Sequence, residues 1–271
     1  VKPDDEGKRT TPWPSLVRRI VHSVRIVAKR LRRGGARRGR AWDGTMTWIA
    51  LGGLVVVVLA SFMDAWAIRF ARTSQWPAFG FLRLVTDVAL VQWYLVPAGL
   101  VVLSLSMMDW SGRGSRRQAR LALVFGQAVF AIAAIGFAQL LTRVLKLVVG
   151  RARPELIDPN GAFQFDFFQF GELYWSFPSG HATTSGALTA ILLLWFPRAR
   201  LAVLPVGMTL ALSRVAADAH YPSDVAAGFL VGFVVALFLA RWLAFRGLVF
   251  RFRDAGLLPR MRFVRGQMPD D

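Results

Sequence analysis

Two of the three histidines, with a carboxylate and four Lys or Arg close by, lie in three short windows at the edges of apolar runs. In "SRVAADAHYPSDVAAG", residues 213–228, His220 is followed four residues later by Asp224. A carboxylate beside an imidazole fixes its tautomer and stabilises the imidazolium, leaving the other ring nitrogen free to attack or to ligate. Arg214 adds a cation to the same window. In "FPSGHATTSG", residues 177–186, Pro178 and Gly180 set a turn ahead of a helix. The unpaired N–H groups and positive dipole end of that helix make an anion cradle around Ser179 and Gly180, with His181 at its lip. The third window, "LKLVVGRARP", residues 145–154, places Lys146, Arg151 and Arg153 where hydrocarbon should give way to water. A charge buried near a bilayer costs about 2.5–3.5 kcal/mol, so cations at that depth call for an anionic partner. Lys146 and Arg153 are seven apart and on a continuous helix would share a face to within about 20°. Arg151 would point elsewhere, and Pro154 ends the helix. Three cations, a helix N-terminus, two histidines and one carboxylate suit a tetrahedral oxyanion, Lys and Arg being the side chains fitted to phosphate.

Blander readings stand beside this one. Lys146 alone could snorkel its ammonium to the interface. His181, His220 and Asp224 could form a two-histidine, one-carboxylate metal site, but the surrounding cations would repel a divalent ion, so neither a metal nor any other cofactor is expected. Arg143, one turn from Lys146, is left between a fourth phosphate ligand and a headgroup contact. Glu155, Asp158, Asp166 and Asp218 are counter-charges with no catalytic role assigned.

The elements that must hold these windows are membrane helices. The chain of 271 residues is 55% hydrophobic, with mean hydropathy +0.43, too apolar for a water-soluble domain of this length. Its long apolar runs predict an all-α, six-transmembrane helical bundle with spans at 45–63, 88–107, 119–142, 181–197, 200–217 and 225–245, preceded by a basic interfacial helix. The 34 Lys and Arg exceed the 16 Asp and Glu to give a net charge of +18. The excess gathers in the segment up to Arg40, between Arg113 and Arg120, at Arg198 and Arg200, and from Arg246 onward. The bias of Lys and Arg toward the cytoplasm then places both termini there, with 64–87, 143–180 and 218–224 on the other face. That topology brings the three windows together outside the cytoplasm, in a bacterial inner membrane. A basic run beside a transmembrane helix reads as a contact for anionic lipid headgroups, with no nucleic-acid partner.

Three regions are expected. Residues 1–44 form a basic, partly disordered segment in which Leu16, Ile20, Val24, Val27 and Leu31 recur at helical spacing. Residues 45–246 form the membrane domain and 247–271 a basic tail, either interfacial or frayed. There is no cysteine, which excludes disulfides and thiolate metal sites, and no cleavable signal is expected ahead of the first span. Between the third and fourth spans, Phe163, Phe165, Phe167, Phe168, Phe170, Tyr174, Trp175 and Phe177 crowd one loop. Such rings either anchor the loop among headgroups or form a lid over an acyl or prenyl tail.

The pattern K-x6-R-P at Lys146–Pro154, PSGH at Pro178–His181 and SR-x5-H-x3-D at Ser213–Asp224 resembles the three-part signature of the type 2 phosphatidic acid phosphatase family, which shares its site with vanadium haloperoxidases. The resemblance covers about 80 residues, and the six-span layout is similar to the integral-membrane branch. It implies a metal-independent phosphatase acting on membrane lipid phosphates or diphosphates: phosphatidic acid, phosphatidylglycerophosphate, undecaprenyl diphosphate or lipid A. It further implies His220 as the nucleophile that becomes phosphohistidine, Asp224 as its support, and His181 as acid and then base. Lys146, Arg153 and Arg214 would bind the phosphate oxygens, joined by Ser179 and the N–H of Gly180. Two other functions use the same residues: transfer of the phosphoryl group to another lipid, and non-catalytic binding or flipping of anionic lipids.

Overall fold

The computed structural model describes residues 39–110, 113–252 and 256–261, together with the isolated positions 21 and 25. The interfacial helix expected within residues 1–44 lies outside the described residues except at those two positions. From there the chain is helical: α1 (Gly44–Ser61), α2 (Asp64–Thr73), α3 (Pro77–Val85), α4 (Gln92–Met107), α5 (Ser115–Val149), α6 (Gly180–Trp195), α7 (Arg200–Ala216) and α8 (Pro222–Phe245). Among the described residues, five segments are long and apolar enough to cross a membrane: Gly44–Ser61, Pro77–Met107, Ser115–Val149, Pro197–Ala216 and Pro222–Phe245. The lipid-facing character is plain on α1 and α4, where Leu54, Val55, Leu59, Leu100 and Leu103 are all exposed on helices apolar all round.

The expected span at 181–197 is α6, of 16 residues. At about 1.5 Å per residue it falls short of a roughly 30 Å hydrocarbon core, and most of it is buried. The segment 64–87 is a second departure: it was expected as a loop, but its residues form α2 and α3. Helix α2 is a short amphipathic helix with Arg69 and Arg72 set among its apolar residues, and α3, with Arg83, opens the span-length segment Pro77–Met107.

Helix α8 is the hub, packing against α6, α1, α5 and α7. Its Gly228 and Gly232, four apart, let the α6 backbone come close. A Cβ at Gly232 would stand 2.0 Å from the Thr183 carbonyl oxygen, and one at Gly228 would stand 2.3 Å from that of Ser179. Small residues at this spacing bring membrane helices into backbone contact, and here they join the two helices that follow the two histidine windows. Alanines fill the rest of the core: Ala134 from α5, Ala187 and Ala190 from α6, Ala236 and Ala240 from α8. Part of the tail, residues 247–252 and 256–261, is described. Phe250 is fully buried, its ring 4.8 Å from that of Phe130, and Phe250–Arg251 (β1) pairs antiparallel with Arg260–Met261 (β2).

Candidate active site

At one end of the bundle the α5 C-terminus, the α6 N-terminus, the α7 C-terminus and the turn before α8 converge. Helix α5 stops at Val149 because Gly150 takes φ +55°, and a Cβ there would lie 1.6 Å from the Asp166 carbonyl oxygen. Lys146 therefore stands on the helix and Arg153 beyond it. The expected continuous helical face through both does not exist, because a left-handed glycine ends the helix before the proline can. The segment 150–153 instead runs beside the aromatic loop: Asp166 N–H donates to Gly150, Ala152 to Gln164, Arg153 to Leu173, and Ser176 to Arg151. The Lys146 ammonium donates to the Trp175 carbonyl. Phe163, Phe165, Phe167, Phe168 and Phe170 remain exposed, the disposition of interfacial anchors.

Ser179 caps α6, its hydroxyl accepting from Ala182 N–H at 3.4 Å, while its own N–H donates to the Asp224 carbonyl at 3.0 Å. Gly180 opens the helix, with Gln139 Nε2 donating to its carbonyl at 2.8 Å. Pro222 opens α8 at a position that needs no N–H, leaving His220 two residues ahead. Arg214, in the last turn of α7, donates from Nη1 to Thr86 Oγ1 at 2.9 Å. The groups share one electrostatic neighbourhood. His181 interacts with the charges of Arg214, Asp87, Lys146 and Arg153; His220 interacts with those of Lys146, Asp224 and Arg214. Each motif residue expected at the site thus belongs to this end of the bundle. Arg143 is exposed on the outer face of α5.

Among the described residues, Arg153 Nε, Arg214 Nε and His220 Nδ1 are buried without a hydrogen-bond partner in the protein. Buried polar groups are almost always satisfied, so donors left over beside two histidines are suited to an oxyanion. Burial pushes the His220 pKa down to about 4, with the cations Lys146 and Arg214 acting in the same direction and Asp224 opposing them. The imidazole is neutral at pH 7 and its lone pair available. Its Nδ1 lies 3.8 Å from Asp224 Oδ2, within ion-pair range but beyond a hydrogen bond.

Asp224 is held elsewhere. Its Oδ2 accepts from Ser176 Oγ at 2.5 Å and Tyr221 N–H at 3.0 Å, and its Oδ1 from Arg151 Nη1 at 2.6 Å. Arg151 does point away from Lys146, and its anion belongs to the protein: besides Asp224 it pairs with Asp64 at 2.7 Å and stacks 4.2 Å from the centre of the Tyr221 ring. The carboxylates offer burial-offsetting attraction that raises the Arg151 pKa, although desolvation alone would lower it. Sequence reasoning missed Asp64, Thr86, Asp87, Ser176 and Ser223. Only Asp64 carried a signal, as an acid directly after an apolar run in "LASFMDAW". Asp158 and Asp218 pair with Arg69 and Arg72 and not with the motif cations. The cavity of about 990 Å³ between α4, α5, α6 and α7 is lined by Trp93, Val124, Leu188 and Val206 and includes none of the motif residues.

The chain is similar to a lipid A 1-phosphatase of Rhizobium etli, 38% identical over 142 residues, covering 52% of this chain and 61% of that protein. It is also similar to a lipid A 1-phosphatase of Rhizobium johnstonii, 42% identical over 120 residues, covering 44% of this chain and 49% of that protein. The matches thus span about half to three-fifths of the length of these relatives. No solved structure matches the chain. A family model described as the PAP2 superfamily matches residues 127–248. Over that stretch, which contains all three motif windows, the chain is similar to the PAP2 superfamily.

Proposed function

We propose that this protein is an integral-membrane lipid phosphatase, that residues 45–246 are its catalytic unit, and that its substrate is the 1-phosphate of a lipid A-like glycolipid at the non-cytoplasmic face. The observation that carries the reading is the set of buried donors at Arg153 and Arg214 without acceptors in the protein, in one field with Lys146, His181 and His220. The names of the relatives support the choice of lipid, and the exposed phenylalanines of the 163–170 loop suit a site at the bilayer surface.

In this mechanism Lys146, Arg153 and Arg214, with Ser179 and the Gly180 N–H, hold the non-bridging oxygens. Phosphoryl transfer is mostly positioning and charge stabilisation, so this clamp supplies much of the rate. The free ring nitrogen of His220 attacks phosphorus, forming the N–P bond as the P–O bond to the sugar breaks. Burial and the neighbouring cations hold the His181 pKa down to about 4 in the free protein; with the phosphate dianion in the clamp offsetting those cations, the ring takes up a proton and gives it to the departing oxygen. The neutral His181 then takes a proton from water, whose oxygen attacks the phosphohistidine, releasing inorganic phosphate and restoring both rings. No divalent ion enters this sequence.

The test is phosphate release from lipid A in mixed micelles by the purified chain with EDTA present, beside phosphatidic acid and undecaprenyl diphosphate. Release that survives EDTA and is blocked by vanadate supports the reading; activity abolished by EDTA overturns the mechanism. Labelled phosphate recovered in a second lipid instead of in solution would make the enzyme a transferase.

A further inference from the structure

Asp64 lies outside the family match and outside the three motif windows, yet it is fully buried and ends in the same network as Asp224. Its Oδ1 accepts from Ser223 N–H at 2.9 Å. Its Oδ2 accepts from Arg151 Nη2 at 2.7 Å and from Ser223 Oγ at 2.5 Å. Ser223 Oγ in turn accepts from Arg151 Nη1 at 2.7 Å. Burial raises the Asp64 pKa and the bonds from Ser223 and Arg151 oppose that rise. With three donors converging on two oxygens, the acceptor geometry is that of the ionised form.

The charges count as follows. Arg151 is a single cation clamped between two carboxylates, Asp64 and Asp224, with side chains 3% and 0% exposed in each pair. Were Asp64 absent, Arg151 would neutralise Asp224 by itself, and nothing would be left to face His220. With Asp64 present, the trio carries a net charge of −1 in a medium where charge is weakly screened. The other charges acting on His220 are the cations Lys146 from α5 and Arg214 from α7. When the His220 lone pair forms its bond to phosphorus, the hydrogen on the other ring nitrogen stays, and the ring becomes a cation among cations. Among the described charges acting on it, that −1 is the one that offsets them.

We infer that Asp64 is a positioning and charge-balancing residue for the phosphohistidine step: it occupies Arg151 so that the negative charge of Asp224 remains available to the His220 imidazolium. This rests on the phosphatase reading. Asp64 touches no substrate and acts through Arg151, Ser223 and Asp224.

The experiment uses the full chain with lipid A in mixed micelles, measuring kcat, KM and inhibition by inorganic phosphate. D64N removes the charge and keeps the shape. Its kcat is expected to fall about 10- to 100-fold, while the inhibition constant for phosphate stays within about threefold because the Lys146, Arg153 and Arg214 clamp is untouched. S223A deletes a hydrogen-bonding partner of Asp64 but no charge, and should lose less than about fivefold. The double variant D64N/R151Q restores the count to −1 and should recover at least part of the kcat lost in D64N. An unchanged kcat in D64N, equal losses in D64N and S223A, or a double variant worse than D64N would each overturn the inference. Should D64N fail to fold, the double variant decides alone: kcat within about tenfold of wild type supports the charge count, and loss as complete as in H220A overturns it. A wild-type protein that releases no phosphate would sink the phosphatase reading itself, an outcome distinct from an active wild type with an indifferent Asp64.

Discussion

Both ends of the α8 helix bury charge, and they treat it in opposite ways. Near the C-terminal end Arg241, 2% exposed, is saturated: it donates to the carbonyls of Ala41, Leu257 and Arg40 at 3.1, 2.8 and 3.0 Å and to the Asp43 carboxylate. Near the N-terminal end Arg151 is saturated in the same manner, but Arg153 and Arg214 keep buried Nε donors unpartnered, and so does His220 Nδ1. A buried charge with every nitrogen engaged holds helices together, because removing either partner strands the other. A buried charge with donors to spare costs stability in the free protein, and that cost is recovered only when an anion arrives. On the proposed phosphatase reading, this contrast distinguishes the arginines of the scaffold from those of the site.

The sharpest way to break this contrast is His220→Ala. Phosphate release should fall by at least about a thousandfold, with thermal stability close to wild type, since the ring makes no hydrogen bond that the fold uses. Unaltered release would remove His220 from the chemistry. Next, Arg153→Ala and Arg214→Ala should each cost about 10²- to 10³-fold in kcat/KM and weaken inhibition by inorganic phosphate, with Tm unchanged or raised because the clustered cations repel one another. A lowered Tm with intact kcat/KM would class them with Arg241. Arg241→Ala should show the converse: about 3 kcal/mol of stability lost, read as a drop in Tm in detergent, with kcat per folded molecule unaffected.

The smallest expected effect concerns pH. Because His220 is held down to about 4, the free enzyme keeps a neutral nucleophile throughout the range above that value. The acid limb of kcat/KM assigned to this ring should lie near pH 4 and not near the ordinary histidine value of about 6.5. The stability sign follows from the same shift. The folded protein binds fewer protons here than the unfolded chain, so this contribution is complete above about 6.5 and is lost as pH falls toward 4. A His220→Gln variant should lack that loss; an identical pH dependence of Tm in both proteins would contradict a neutral buried imidazole.

Much of this molecule was legible in the residues alone, and the parts that were share a physical cause. Long apolar runs report helices directly, so α1, α5, α7 and α8 lie where the runs predict, with ends displaced by up to seven residues, the most at the C-terminus of α5. Motif windows report local chemistry, and Ser179, Gly180 and Pro222 perform the turns and caps their types favour. What failed were inferences reaching past local geometry. The face shared by Lys146 and Arg153 assumed that the helix continued, and Gly150 stopped it. Helix α2 is too short to register as a span, and α3 precedes the apolar run at 88–107 from which the span is read.

The sequence by itself therefore determined the inventory: membrane helices, their approximate limits, and three phosphate-suited windows whose spacing is set within single elements. Only the tertiary structure decided the pairings, joining Asp64 to Arg151 across 87 positions and Arg214 to Thr86 across 128. Helix and cap formation depend on neighbours within a turn or two, which the chain order specifies. Which buried arginine is spent on the scaffold and which is left for a ligand depends on where distant carboxylates arrive once α6 and α8 close on their glycines, and no local pattern encodes that.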